Sequence, residues 1–332
     1  MKRYSENEME ASGLIRPCYP KKLTPYLERL LSGPDGEIIS RQFEPEAREA
    51  ESFSDLHTDP LAEQHHTPVP GLVHRHPDRV LLLANACCAA NCRFCFRRGR
   101  DFASFDRLAT SGREAMFDYL TKQPEVREVI LTGGDPLLLE AGQLGGLLDR
   151  LESVSHLELL RVHTRLPVVD PGRLSQGLLE RLNRKLPLYV MLHVNHPVEL
   201  TGAFEEGCKR LMAAGCILGS QSVLLKGVND NVEVLEALFR GLLRMRVRPY
   251  YLHHPDLAAG TAHFRVSVER GRAIMRELAG YISGLSLPRY VVDLPGGHGK
   301  VAIDGSEIFP GKDEVWLQTG DGKRIRVPDW EG

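Results

Sequence analysis

The stretch NACCAANCRFCFRRGR, residues 85–100, holds four of the seven cysteines of this 332-residue chain, and arginines follow them closely. A disulfide framework, a zinc site, a reactive thiol and an iron–sulfur cluster are the candidate explanations. An odd number of cysteines, with most of them in one place, argues against a disulfide scaffold. It favours metal binding or catalysis.

The cysteines Cys88, Cys92 and Cys95 form the pattern C-x3-C-x2-C. Thiolates are the usual ligands of [4Fe–4S] clusters, and three of them on a short loop can hold three of the four irons. The fourth iron then stays open to a small molecule. Structural zinc needs four closed ligands, and no second C-x2-C pair is present. The pattern favours a [4Fe–4S] cluster over zinc. We expect Cys87, Cys208 and Cys216 to pack in the core.

The composition is that of a globular protein, with 42% hydrophobic and 26% charged residues and a net charge of -2. Balanced charge gives no argument for a nucleic-acid or membrane partner. The longest apolar runs are too short to span a bilayer, and the polar N-terminus lacks the apolar core of a signal peptide. We expect a cytoplasmic protein, because thiols stay reduced in the cytoplasm.

From residue 80 onward, short apolar runs alternate with amphipathic stretches. Such alternation predicts parallel βαβ units. Six units fit a partial (β/α)6 TIM-like barrel, with a small N-terminal helical extension and a short C-terminal β-hairpin tail. We therefore divide the chain into an extension (1–72), a barrel (73–300) and a tail (301–332). The predicted strands are Val80–Ala84, Val129–Leu131, Leu159–Val162, Leu188–His193, Ile217–Leu225, Tyr250–His253 and Tyr290–Asp293.

Residues whose side chains can bind a ligand or take part in catalysis follow these strands. The cysteine cluster comes after the first strand, TGGD after the second and HTR after the third. Further along lie His193, Gln221, Asp256 and Asp293. Because the chemistry of a parallel barrel lies at the carboxyl ends of its strands, we expect these side chains to meet at one mouth.

The cysteine pattern, with an aromatic residue before its last cysteine, resembles that of the radical S-adenosylmethionine (SAM) enzymes. The resemblance implies that the open iron binds SAM and that reduction of the cluster yields a 5′-deoxyadenosyl radical. It also implies a partial barrel. Gly133, Gly134 and Asp135 of LTGGD match the element that meets SAM in that family, and His193 and Gln221 match later SAM contacts.

A glycine-rich segment, GGHGK at 296–300, raises the possibility of a phosphate loop. It fails the P-loop pattern, since Leu294 stands where the first glycine should be and Val301 where Ser or Thr should bind magnesium. A lysine at a barrel mouth has another use. It can form a Schiff base with pyridoxal 5′-phosphate (PLP).

Several segments together resemble the lysine 2,3-aminomutase family, colinearly from about residue 67 to 301. They include PVPGLVHRHPDRVLLL, NHPVELT, QSVLLKGVNDN and RPYYLHHPDLAAGTAHFR. The resemblance implies that SAM and PLP together move the α-amino group of L-lysine to C3. It assigns Lys300 to the Schiff base with PLP, Arg75 and Arg79 to the PLP phosphate, Arg97 to the substrate carboxylate, and Asp256 and Asp293 to the ε-ammonium group of lysine.

The expected activity is therefore a lysine 2,3-aminomutase that makes β-lysine, either for free-lysine metabolism or for modification of elongation factor P. Flavodoxin or ferredoxin is the expected electron donor, and a homo-oligomer remains open. The alternatives are an aminomutase for another amino acid and a zinc-dependent nucleic-acid-binding protein. The absence of a basic stripe speaks against the second.

Overall fold

The computed structural model describes residues 19–51, 53–99, 110–303 and 308–332. Its helices are α1 Pro25–Leu31, α2 Gly36–Phe43, α3 Thr110–Thr121, α4 Ala141–Glu152, α5 Leu166–Val169, α6 Gln176–Leu182, α7 Gly202–Ala213, α8 Val232–Arg244 and α9 Val268–Tyr281. Its strands are β1 Leu72–His76, β2 Arg79–Asn85, β3 Glu128–Gly133, β4 Leu159–Thr164, β5 Leu188–His193, β6 Ile217–Val223, β7 Arg248–His253, β8 Arg289–Asp293, β9 Lys300–Ala302, β10 Ile308–Pro310, β11 Glu314–Gln318 and β12 Arg324–Pro328.

The main sheet contains β1 to β9 in sequence order. Strands β2 to β8 run parallel, and β1 and β9 pair antiparallel at the two ends. Helical crossovers join each parallel strand to the next, which gives the six predicted βα units. The partial barrel predicted from the sequence is confirmed, and each predicted strand falls on an observed one.

Helix packing follows the predicted apolar faces. Leu144, Leu148 and Leu151 of α4 are fully buried. In α8, a stripe at helical spacing from Leu235 to Leu242 is likewise buried. These faces cover the outside of the sheet, because an amphipathic helix buries its apolar stripe against the strands it connects.

The N-terminal helices and the C-terminal strands pack onto the same core. Leu27 and Phe43, from α1 and α2, belong to the main hydrophobic cluster, as does Leu317 of β11. Strands β10, β11 and β12 form a small antiparallel sheet. It contains the predicted hairpin, whose turn includes Gly322 at φ +84°. Within the described part of the chain, no helix combines the length and the apolar character that crossing a membrane requires.

Candidate active site

One cavity of about 660 Å³ runs through the barrel. It brings together every candidate residue of the sequence analysis except Gly133. Those that line it are Arg75, Arg79, Cys88, Cys92, Cys95, Arg97, Gly134, Asp135, His193, Gln221, Asp256, Asp293 and Lys300. The cavity also reaches the amino ends of two strands, beyond the mouth at which the residues that follow the strands were expected to meet. Arg79 and Arg289 open their strands at the amino end, so the cavity extends along the barrel interior.

The cysteine loop begins where β2 ends. Cys88, Cys92 and Cys95 are free, partly buried thiols on one wall of the cavity. Burial and the neighbouring thiols raise the pKa of Cys88, and the same causes raise the pKa of Cys95 to about 11. A cationic metal core would reverse this, because coordination deprotonates thiols. The donor set therefore fits an iron–sulfur cluster held by three thiolates.

Two arginines of CRFCFRR anchor this loop to the N-terminal extension. Arg93, which is fully buried, donates to Glu49 Oε1 at 2.7 Å and to the Tyr19 carbonyl oxygen at 3.0 Å. Arg98 shares Glu49 and donates to the Gly260 carbonyl oxygen at 2.8 Å. No pattern in the sequence indicated this role of the arginines, because their three partners lie far away in the chain.

Cys87 differs from the expectation that it packs in the core, because its thiol is exposed. The structural contact of Cys87 comes from its backbone carbonyl group rather than from its thiol. The Asp135 amide donates to the Cys87 carbonyl oxygen at 2.8 Å, and the Gly134 amide donates to the Asn85 carbonyl oxygen at 2.6 Å. The glycine-rich loop after β3 is thereby joined directly to the cysteine loop. The other two described cysteines, Cys208 and Cys216, are buried as predicted.

The LTGGD residues also have structural roles, in addition to the SAM contact that the family resemblance implies. A Cβ on Gly134 would overlap the Cys87 carbonyl group, and Gly133 has φ +107°. The Asp135 carboxylate accepts hydrogen bonds from Thr164 Oγ1 at 2.7 Å and from the Arg165 amide at 2.8 Å. Asp135 therefore joins the loops after β3 and β4.

We expect Gly134→Ala to abolish cluster assembly while the fold persists. The added methyl group can be accommodated only by moving the cysteine loop, because the atoms it meets are backbone. Iron and sulfide content after anaerobic reconstitution measures the effect. Gly142→Ala is the control, since a Cβ there meets nothing within 4 Å. Full iron loading of Gly134→Ala would contradict the expected loss.

Arg165 contacts the cysteine loop from the next loop of the barrel. Its Nη1 donates to Cys92 Sγ at 2.9 Å, and its Nη2 pairs with Glu199 at 2.6 Å. Close by, the His193 ring stacks on Phe94 with ring centroids 5.3 Å apart. Among the described side chains, His193 Nε2 is buried without a hydrogen-bond partner. A buried polar atom needs a partner, so a SAM molecule beside the cluster fits this position.

Lys300 opens β9 and lines the same cavity as the cysteine loop. Its ammonium group donates to Asp293 Oδ2 and lies 3.3 Å from His253 Nδ1. Burial opposes ionisation of Asp293, but the charge of the Lys300 ammonium group holds the pKa of Asp293 below its usual range. The preceding loop turns tightly at Gly299, whose φ of +92° favours glycine.

The predicted phosphate residues lie on the first strands of the sheet, facing Lys300 across the gap in the barrel. Arg75 Nη2 lies 3.9 Å from Asp293 Oδ1, which brings β1 and β8 together. Arg79 pairs with Asp78 at 2.7 Å. Two guanidinium groups within reach of one lysine amine fit a PLP molecule held at its phosphate and at its aldehyde.

Arg97 is already paired in this structure. Its Nε and Nη2 donate to the two Glu63 oxygens at 3.0 and 2.7 Å, and its Nη1 donates to Thr132 at 3.1 Å. Burial opposes the charge, yet Glu63 raises the pKa of Arg97. No pattern in the sequence indicated Glu63. It fixes the plane of the guanidinium group and leaves donors of both terminal nitrogens for a carboxylate.

Asp256 lines the cavity beside the Lys300–Asp293 pair. Burial, followed by the charge of Asp293, raises its pKa to about 7. A carboxyl group in this setting gains a favourable partner when a cation enters the cavity. Asp293, by contrast, already holds Lys300.

The fold and this site define a radical SAM enzyme. A family model described as a 4Fe-4S single cluster domain matches residues 78–161. Among solved structures, a radical SAM methyltransferase from Sphaerobacter thermophilus matches over 66% of this chain and 68% of its own, with a TM-score of 0.39 and 21% identity.

Curated relatives cover most of the chain. The L-lysine 2,3-aminomutase of Fusobacterium nucleatum is 40% identical over 308 residues, 91% of this chain and 72% of its own. A putative L-lysine 2,3-aminomutase of Aquifex aeolicus is 40% identical over 322 residues, 95% of this chain and 87% of its own. The glutamate 2,3-aminomutase of Clostridioides difficile is 36% identical over 272 residues, 82% and 64% of the two chains. This chain belongs to the lysine 2,3-aminomutase family, whose enzymes are isomerases that depend on SAM and PLP. Family membership favours the aminomutase interpretation over the zinc-dependent alternative.

Proposed function

We propose that this enzyme converts L-lysine to β-lysine by moving the α-amino group to C3. The observation that carries the proposal is the set of residues that line one cavity. The cavity is lined by the three cysteines, by Lys300 and by the carboxyl groups of Asp256 and Asp293, and Asp293 contacts Lys300 directly. A basic side chain of the substrate would form ion pairs with these two carboxyl groups.

Different residues of the chain would hold the cluster, SAM and PLP. Cys88, Cys92 and Cys95 would hold the cluster, and His193 with the LTGGD loop would bind SAM. Lys300 would hold the PLP aldehyde, with Arg75 and Arg79 on the phosphate. When bound, these groups supply a carbon radical that removes hydrogen from the substrate and a carbonyl carbon that carries the migrating nitrogen.

The substrate would span the space between Arg97 and Asp256. Arg97 binds the α-carboxylate with the donors that Glu63 and Thr132 leave free. Asp256, and Asp293 after Lys300 leaves it, binds the ε-ammonium group. Two carboxylates in a partly dry cavity favour a cation over the carboxylate side chain of glutamate.

Three further properties belong to the proposal. The enzyme works in the cytoplasm, and a flavodoxin or ferredoxin reduces its cluster. The chain is organised as an N-terminal extension (1–72), a barrel that carries both cofactor sites (73–300) and a tail (301–332). The packing of Leu27 and Leu317 into the barrel core supports the view that extension and tail stabilise the barrel.

Product analysis tests the proposed activity. Reconstituted protein is incubated without oxygen with SAM, PLP, a reductant and either lysine, ornithine, arginine or glutamate. We expect β-lysine from lysine and far less product from glutamate. β-Glutamate as the main product would contradict the assignment of the two acids.

A further inference from the structure

His253 contacts both Lys300 and Asp293, and no pattern in the sequence indicated a role for it. Its side chain is 17% exposed. Nδ1 lies 3.2 Å from Asp293 Oδ2 and 3.3 Å from Lys300 Nζ, and Nε2 lies 3.3 Å from Gln221 Oε1. Tyr251, on the same strand, meets the imidazole edge-on with centroids 5.5 Å apart. His253 is therefore in direct contact with the amine that would bind PLP.

Gln221 determines which nitrogen of His253 carries the proton. In this structure the Gln221 amide nitrogen lies 3.3 Å from His163 Nε2, and the amide oxygen lies 3.3 Å from His253 Nε2. An amide oxygen only accepts, so His253 Nε2 must donate. Burial, and then the charge of Lys300, lower the pKa of His253, which keeps the ring neutral. Its Nδ1 then carries a lone pair, and that lone pair faces the Lys300 ammonium group.

We propose that His253 is the base that takes the proton from the Lys300 ammonium group and so prepares Lys300 for its bond to PLP. The proposal rests on the proposed function, in which Lys300 holds PLP. An amine bonds to an aldehyde carbon only through its lone pair, and an ammonium group has none. A base in contact with Lys300 Nζ therefore controls how fast the link forms.

The proton transfer balances within three side chains. One N–H bond of the Lys300 ammonium group breaks and one Nδ1–H bond on His253 forms, which leaves a neutral amine and an imidazolium. The new Nδ1–H points to Asp293 Oδ2, which already lies at hydrogen-bond distance. Nε2 keeps its bond to Gln221. The carboxylate that held the ammonium group thus stabilises the imidazolium that replaces it.

The same geometry gives Gln221 a positioning role between the two halves of the cavity. It joins His253, which lies beside Lys300, to His163 near the end of β4. The family resemblance implies a SAM contact for Gln221. Its two hydrogen bonds in this structure fix the tautomer of His253, and a Gln221→Leu change would release that constraint.

The rate of PLP attachment tests the role of His253. Full-length protein, purified without PLP, is mixed with PLP and quenched with borohydride at timed intervals. Mass spectrometry then measures the label on the Lys300 peptide. We expect His253→Asn to reach the same final labelling about 10²-fold more slowly, a typical loss for a missing proton acceptor. Imidazole added to His253→Ala should restore part of the rate. Should His253→Asn fail to fold, His253→Gln provides the same test.

The controls separate this proposal from the proposed function. His298→Asn changes an exposed histidine two residues from Lys300 and should label as fast as the parent protein. A wild-type protein that acquires no label on Lys300 would refute the PLP site itself. Normal labelling of the wild type together with an equally fast His253→Asn, or a His253→Ala variant insensitive to imidazole, would overturn the role of His253 alone.

Discussion

Lys300→Ala is expected to lose covalent PLP completely and to lower β-lysine formation by about 10³-fold or more, within the range of orientation effects in active sites. No other lysine lines the described cavity, so no neighbouring amine can replace Lys300. Iron and SAM binding should persist, because Lys300 contacts Asp293 and His253 rather than the cysteine loop. Borohydride reduction and peptide mapping measure the PLP label, and anaerobic product analysis measures the activity.

Lys312→Ala is the matched control for this prediction. Lys312 is an exposed lysine outside the cavity, and its loss should leave the PLP label in place. The PLP assignment fails if Lys300→Ala carries as much reducible PLP as the parent protein, or if the label maps to another lysine.

Asp256→Asn is expected to raise the KM for lysine by about 10- to 150-fold. A hydrogen bond to a charged group contributes about 1.5 to 3 kcal/mol, and each 1.4 kcal/mol is tenfold in affinity. We choose Asp256 over Asp293 because Asp293 also holds Lys300 and His253, so its loss would disturb the PLP site. Steady-state kinetics measures the effect, and SAM binding should stay unchanged.

A substrate analogue without the ε-amino group is the control for Asp256. The wild-type enzyme should bind this 2-aminohexanoate much more weakly than lysine. Asp256→Asn should bind the two alike, because the partner of the ammonium group is gone. A variant that still prefers lysine by the wild-type ratio would show that another group binds the ammonium.

The KM for lysine should fall as the pH rises through about 7. Burial and Asp293 raise the pKa of Asp256 to about 7 in the free protein, so Asp256 is mostly neutral below that pH and mostly ionised above it. Only the ionised form pairs with the ε-ammonium group. The same raised pKa destabilises the free fold as the pH rises from about 4 to about 7, because the folded form binds the extra proton. Asp256→Asn should remove both pH dependences, which lysine titrations and thermal unfolding can measure.

The sequence was sufficient for the parts of the molecule that depend on neighbouring residues. The spacing of Cys88, Cys92 and Cys95 fixes three thiols on one loop, whatever surrounds them. The alternation of apolar runs predicted the strands and the order of the main sheet, since consecutive βα units pack side by side. The glycines of LTGGD were recognised by their pattern. Their steric reason, close contact with the Cys87 backbone, needed the structure.

Sequence position therefore predicted the cluster ligands and the residues available for the chemistry, and it determined the barrel class. The tertiary structure decided how those residues are paired. It joined Arg97 to Glu63, 34 positions away, and Arg98 to the Gly260 carbonyl group, 162 positions away. It also set His253 between Lys300 and Gln221, which no local pattern indicated. The physical reason is that hydrogen bonds and ion pairs act over a few ångströms in space, and only the closing of the barrel brings distant positions of the chain within that range.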